Sequence, residues 1–230
     1  MADTESAPVV APPRRWELAA YGVVRAILLV LARIWFRLSV TGTEKVPTHG
    51  PFVLAPVHRS NLDFLLVSAV TRRRMRYMGK DSIWKVRPLG ALVSVLGAYP
   101  VRRGSADREA LRTTMQVIAA GEPVVMFPEG TRRVGPVVEA LFDGPAYVAS
   151  RAGVPLVPVG IGGSEAAMPR GSKMIWPRKI TIVVGDPIRP ATDGSGRVPR
   201  RAVHELTETL HAVVQQLFDE AQARAGTPNR

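Results

Sequence analysis

His58 and Asp63 stand five positions apart, close enough for a strand-to-helix turn to fold the carboxylate back onto the imidazole. A carboxylate so placed fixes the tautomer of the ring and favours the imidazolium formed when the ring accepts a proton. The pair can therefore deprotonate a hydroxyl that a substrate brings, with no serine or cysteine nucleophile involved. Taken alone, the same pair also reads as a local structural hydrogen bond. A second cluster, Phe127-Pro128-Glu129-Gly130-Thr131-Arg132, combines a glycine, a hydroxyl and a guanidinium. Glycine admits close backbone approach to a ligand, and the arginine fork matches phosphate geometry. Glu129 either holds Arg132 in place or binds a polar group itself. The plain alternative is an ordinary turn with a surface ion pair, worth at most about 1 kcal/mol.

Both clusters follow apolar runs of strand length. Residues 51–57 read as a buried strand ending at His58, after which Ser60 or Asn61 can cap a helix over 62–70. Residues 123–127 read as another buried strand, stopped by Pro128. Further strands are expected at 75–79, 155–161 and 179–184. Helices are expected at 105–120, with Ser105 as N-cap and Gly121 beyond the end, and at 146–152 and 200–223. Such alternation predicts an α/β fold over 41–224, a single domain with a central, largely parallel sheet flanked by helices. Ligands of open α/β sheets bind outside the carboxyl ends of the strands, where both clusters fall. A base and an anion clamp on one sheet edge point to group transfer involving a phosphorylated hydroxyl compound.

Composition narrows the setting. The 230 residues carry 31 Lys+Arg against 19 Asp+Glu, a net charge of +12 that suits a polyanionic partner. Cysteine is absent, which removes disulfides, thiolate metal sites and a covalent acyl-cysteine route. Residues 1–13 read as a disordered tail with no signal-peptide pattern, so a cytoplasmic location is expected. Residues 14–40 read as a helix whose uncharged runs, 18–24 and 26–32, argue against a bilayer span. Arg25, Arg33 and Arg37 fall within about 120° of one another at roughly 100° per residue. Opposite a broad apolar sector with Trp16 and Trp35, they predict an amphipathic helix lying in a membrane interface, or else one packed on the core with a solvated basic face. The run Arg72, Arg73, Arg74, Arg76 and Lys80 suggests membrane contact, a clamp for coenzyme A phosphates, or a solvated loop.

Other function classes lack their signatures. No recognition-helix pattern, paired aromatic box or zinc-ligand set accompanies the charge, so no nucleic-acid partner is expected. Gly162-Gly163-Ser164-Glu165-Ala166 fails the serine-hydrolase elbow at its last position. His204 and His211 lack a third ligand, and no metal site is predicted. A non-catalytic, basic membrane-binding protein remains an alternative.

Taken together and in order, the motifs resemble the glycerolipid acyltransferase family, whose type activity is that of the 1-acylglycerol-3-phosphate acyltransferases. His58-Arg59-Ser60-Asn61-Leu62-Asp63 is similar to its His-(any four)-Asp box, and Phe127 to Arg132 repeats its Phe-Pro-Glu-Gly-Thr-Arg box. Gly97-Ala98-Tyr99-Pro100-Val101-Arg102-Arg103 resembles the box that ends in a phosphate-binding arginine, and Val154-Pro155-Leu156-Val157-Pro158-Val159 a proline-containing fourth box. Val57, Pro100 and Arg102 depart from the usual pattern, as does the lack of a lysine in Phe142-Asp143-Gly144-Pro145.

The resemblance implies that His58, oriented by Asp63, activates an acceptor hydroxyl. Arg103 and Arg132 would hold the acceptor phosphate in a pocket shaped by Glu129, Gly130 and Thr131. It implies an acyl donor, acyl-coenzyme A or acyl carrier protein, and no cofactor. Acceptor and partner would be membrane lipids: 1-acylglycerol 3-phosphate giving phosphatidate, or alternatively glycerol 3-phosphate, another lysophospholipid or a glycolipid. The enzyme would act as a peripheral protein on the cytoplasmic face of the membrane. Residues 89–96 would line an acyl-chain tunnel or simply form core.

Overall fold

The computed structural model describes residues 13–101, 107–191 and 198–229. Most of the expected tail, the expected cap Ser105 and the expected phosphate ligand Arg103 lie outside the described residues.

A seven-stranded sheet forms the centre, in the order β1-β7-β6-β2-β5-β3-β4. Its strands are β1 (Ser39–Thr41), β2 (Val53–Pro56), β3 (Arg76–Lys80), β4 (Ala98–Val101), β5 (Val124–Val125), β6 (Leu156–Gly162) and β7 (Thr181–Val184). All neighbours run parallel except β6 and β7. The helices are α1 (Arg15–Phe36), α2 (Asp63–Leu66), α3 (Arg87–Val95), α4 (Asp107–Ala119), α5 (Gly144–Ala152), α6 (Ser164–Ala167) and α7 (Arg200–Ala225). Central strands β2 and β6 are buried along their whole length, as strands covered on both faces must be. This explains why their sequences read as continuous apolar runs rather than alternating ones.

The structure alters several expected boundaries. Helix α1 stops at Phe36, and Ser39–Thr41 leaves the expected 14–40 helix to pair with β7 at the sheet edge. Strand β4 adds an opposite edge beside β3. Both are short edge strands, β1 carrying Ser39 and Thr41 and β4 interrupted by Pro100. The expected helix over 62–70 is the single turn α2 followed by a 3-10 turn at Val67–Ala69. The N-cap of α2 is Leu62, without a side-chain cap, rather than the expected Ser60 or Asn61; Ser60 Oγ accepts the Leu62 N–H at 3.3 Å in the turn before the helix.

Helix α7 crosses the sheet on β6 with glycine at the contact. A Cβ at Gly160 would collide with the backbone carbonyl of Leu217, so only the bare backbone admits this approach. Gly160→Ala should therefore cost about 1–3 kcal/mol, as overpacking does, visible as a lowered midpoint in thermal denaturation.

Helix α1 lies against the domain through Tyr21, Leu29, Ala32 and Phe36, all buried. Tyr21 donates its hydroxyl hydrogen to the Arg73 carbonyl at 3.3 Å, and Arg25 donates to the Ser68 carbonyl at 2.8 Å. The expected basic sector is thus divided: Arg25 faces the protein, whereas Arg33 and Arg37 are exposed. The outward face carries Trp16, Val23, Ile27, Val30, Leu31, Ile34 and Trp35, all more than half exposed. By length and composition α1 is also apolar enough to cross a membrane, which its short uncharged runs had argued against. The dense arginine run is redirected inward as well. Arg73 donates to the Pro47 carbonyl, Arg74 to the Ser94 carbonyl, and Arg76 is buried 3.7 Å from Glu122. Of the run's arginines, Arg72 alone is exposed.

Candidate active site

Strands β2 and β5 are parallel neighbours, with Val53 opposite Val124 and Leu54 opposite Val125. Their carboxyl ends therefore bring the His58 turn and the Phe127–Arg132 turn side by side, although some seventy positions separate them in sequence. A backbone hydrogen bond from Arg133 N–H to the His58 carbonyl, 2.9 Å, ties the two turns directly. The His58 ring stacks on Phe127 with centroids 4.0 Å apart.

His58 Nδ1 lies 3.0 Å from Asp63 Oδ2, and the Asp63 carboxylate is fully buried. That same oxygen accepts the backbone N–H groups of Arg59 and Ser60, each at 2.7 Å. Three contacts converge on this one carboxylate oxygen and lock the turn. Because an ionised carboxylate only accepts, His58 donates from Nδ1, and Nε2 is left as the basic nitrogen. The His58 side chain remains 18% exposed and lines a cavity of about 520 Å³.

Glu129 does not stand where it was expected. Its side chain is fully buried and neither pairs with Arg132 nor lines the cavity. One carboxylate oxygen accepts the His58 backbone N–H at 2.9 Å, and both accept from Arg59 Nη1 at 2.7 Å. Arg59, itself 1% exposed, also donates to the carbonyls of Gly135 and Val137 and lies 4.7 Å above the Phe218 ring. This buried pair supports the histidine turn from behind. Arg59 occupies one of the four unspecified positions between His58 and Asp63. Its only sequence signal is a charge immediately after an apolar strand, and its partners lie far along the chain.

Gly130, Thr131 and Arg132 line the cavity with His58. Gly130 turns the chain with φ of 66°, a left-handed conformation that glycine adopts at no steric cost. Arg132 is half-buried and makes no hydrogen bond or ion pair with any described residue, so its donors remain available to a ligand. Apolar walls come from Phe64, Leu65, Tyr77, Met78, Val93 and Leu96. The 89–96 segment thus contributes two cavity side chains, Val93 and Leu96, rather than core alone. Burial raises the Tyr77 hydroxyl well above the usual tyrosine pKa, and that hydroxyl has no hydrogen-bond partner. Sequence reading passed over Tyr77.

His204 and His211 stand apart from this cavity. His211 Nε2 is 2.8 Å from the Val138 carbonyl, and His204 lies 4.0 Å from Asp143. Among the described residues no group of three or more His, Asp or Glu side chains is placed to hold a metal ion. The arrangement is an imidazole and a guanidinium, the latter without a partner among the described residues, lining one mainly apolar cavity.

The sequence profile of the acyltransferase family matches residues 37–162, which hold both turns and the strands that carry them. The chain belongs to that family. A 1-acyl-sn-glycerol-3-phosphate acyltransferase of Bacillus subtilis is 24% identical over 181 residues, 78% of this chain and 87% of the relative. A chloroplastic enzyme of the same description from Brassica napus is 26% identical over 174 residues, 69% of this chain. The chain spans about half the length of that plant relative, 49%. Among solved structures, the 1-acyl-sn-glycerophosphate acyltransferase PlsC of Thermotoga maritima superposes with a TM-score of 0.72. The match covers 90% of this chain and 80% of that one at 24% identity, and establishes an acyltransferase fold with a mixed, mostly parallel sheet.

Proposed function

We propose that the protein transfers a fatty acyl group from a thioester donor to the free hydroxyl of 1-acylglycerol 3-phosphate, giving phosphatidate. One observation carries the reading: an imidazole held at Nδ1 by a buried carboxylate opens on the same cavity as Arg132, which has no partner among the described residues. His58 Nε2 takes the proton of the acceptor hydroxyl as its oxygen attacks the thioester carbonyl. The tetrahedral intermediate collapses, the carbon–sulfur bond breaks, and the imidazolium returns its proton to the departing thiolate. Asp63 stabilises the imidazolium between those events. Arg132, with Arg103 as a second cation, holds the acceptor phosphate, and Gly130 and Thr131 shape its surroundings. The donor is acyl-coenzyme A or acyl carrier protein. The protein acts peripherally at the cytoplasmic leaflet, where such acceptors reside, and the apolar outward face of α1 supports that reading.

Thiol release from palmitoyl- or oleoyl-coenzyme A, followed with a chromogenic thiol reagent, tests the reading, and a chain without cysteine adds no background. Release that depends on lysophosphatidate supports it. Release only with glycerol 3-phosphate or another lysolipid keeps the mechanism and changes the acceptor. No release with any acceptor, from coenzyme A or carrier-protein donors alike, leaves a non-catalytic membrane protein. Arg132→Gln should raise KM for the phosphorylated acceptor about tenfold to a hundredfold, the loss of one charge-assisted hydrogen bond, with the donor KM unchanged.

A further inference from the structure

Acyl transfer to a lysolipid involves two hydrocarbon chains, yet the cavity beside His58 is one space. A second apolar space, about 400 Å³, lies on the other side of α2. Its walls are Leu28, Leu31 and Trp35 of α1, Leu62 and Leu65 at α2, and Ile175 from the loop before β7. Leu65 lines both spaces, so the single turn of α2 is the partition between them. The first residue of that turn is Asp63, which orients His58.

The groove opens on a surface suited to lipid. Leu31 and Trp35 belong to the exposed face of α1, and Met174, Ile175 and Trp176 are 61%, 44% and 48% exposed. Cations bracket these three residues in the sequence Lys173-Met174-Ile175-Trp176-Pro177-Arg178-Lys179, and all three cations are exposed. Apolar tips ringed by basic side chains match an anionic lipid surface, with aromatic residues at the headgroup level.

We infer that the groove between α1, α2 and the Met174–Trp176 loop is the seat of the acceptor's acyl chain, while the cavity beside His58 takes the donor's. This rests on the proposed acyl transfer to a lysolipid. The assignment follows from how each chain arrives. A donor chain comes from a water-soluble carrier and enters past the polar side chains that share its cavity with His58, whereas an acceptor chain can slide sideways from a bilayer into a wholly apolar groove beside the exposed face of α1. Lysophosphatidate seated this way lies across α2, with its glycerol hydroxyl toward His58 and its phosphate toward Arg132.

The test uses 1-acylglycerol 3-phosphates of increasing chain length, each below its critical micelle concentration, with Ile175→Trp and Leu28→Trp to fill the groove. In the wild type, KM should fall about fourfold per added methylene while the chain is being buried. The filled variants should lose that dependence, keeping KM for the shortest acceptor, the donor KM, and the thermal midpoint. A donor KM that rises while the acceptor series is unchanged overturns the inference, as does an equal loss at every acceptor length. Direct binding of the same series, measured calorimetrically without donor, gives a readout independent of turnover. If no acyl transfer occurs but binding shows the length dependence and its loss, the groove stands and the proposed reaction falls.

Discussion

Replacing His58 with alanine is expected to lower acceptor-dependent thiol release by at least about a hundredfold, because general-base assistance commonly supplies two to four decades of rate. The effect should fall on kcat with little change in either KM, since the imidazole contributes to proton movement rather than to holding phosphate or chain. Asp63→Asn separates two roles. The amide oxygen can still accept from Arg59 and Ser60, but the charge that favours the imidazolium is gone. It should therefore reduce kcat severely while retaining a folded protein by circular dichroism. His49→Ala is the control: this histidine is exposed and bonds its neighbour Thr48. Full activity in His58→Ala would sink the proposed mechanism outright.

The second large effect is expected at Glu129. Glu129→Ala leaves the Arg59 guanidinium buried without a counter-charge, and breaking such a pair costs about 3–5 kcal/mol. Urea denaturation should show most of that loss as a lower midpoint. Replacing both partners by apolar residues, Arg59→Met with Glu129→Leu, should restore much of the stability, because neither charge is then stranded. Activity should not return with it, since the His58 N–H loses its acceptor and the turn its fixed geometry. A double variant both stable and fully active would mean that the pair contributes to folding alone.

These two sites also mark where the sequence was legible. The parallel sheet was readable because β2 and β6 are buried throughout and spelled in uninterrupted apolar residues. The edge strands β1 and β4 were not, since they draw their stability from one neighbour and carry Ser, Thr and Pro. The His58–Asp63 contact was readable because its partners are local, within one turn. Arg59 with Glu129 was not, because nothing local distinguishes a buried, long-range ion pair from a solvated charge. The same ambiguity hid the fates of Arg25, Arg73, Arg74 and Arg76, whose side chains satisfy carbonyls or lie against Glu122 inside the fold. The groove beside α2 escaped notice because its walls come from three separate segments, each looking like ordinary core or surface.

The stacking of Arg59 on Phe218 has a consequence for the life history of the molecule. Arg59 stands directly after His58, whereas Phe218 belongs to α7, some 160 positions further along. During synthesis the histidine turn leaves the ribosome long before the ring against which its supporting guanidinium rests. The nascent protein then carries its apolar α1 ahead of a finished His58 turn. The support for the His58 turn is complete only when α7 docks.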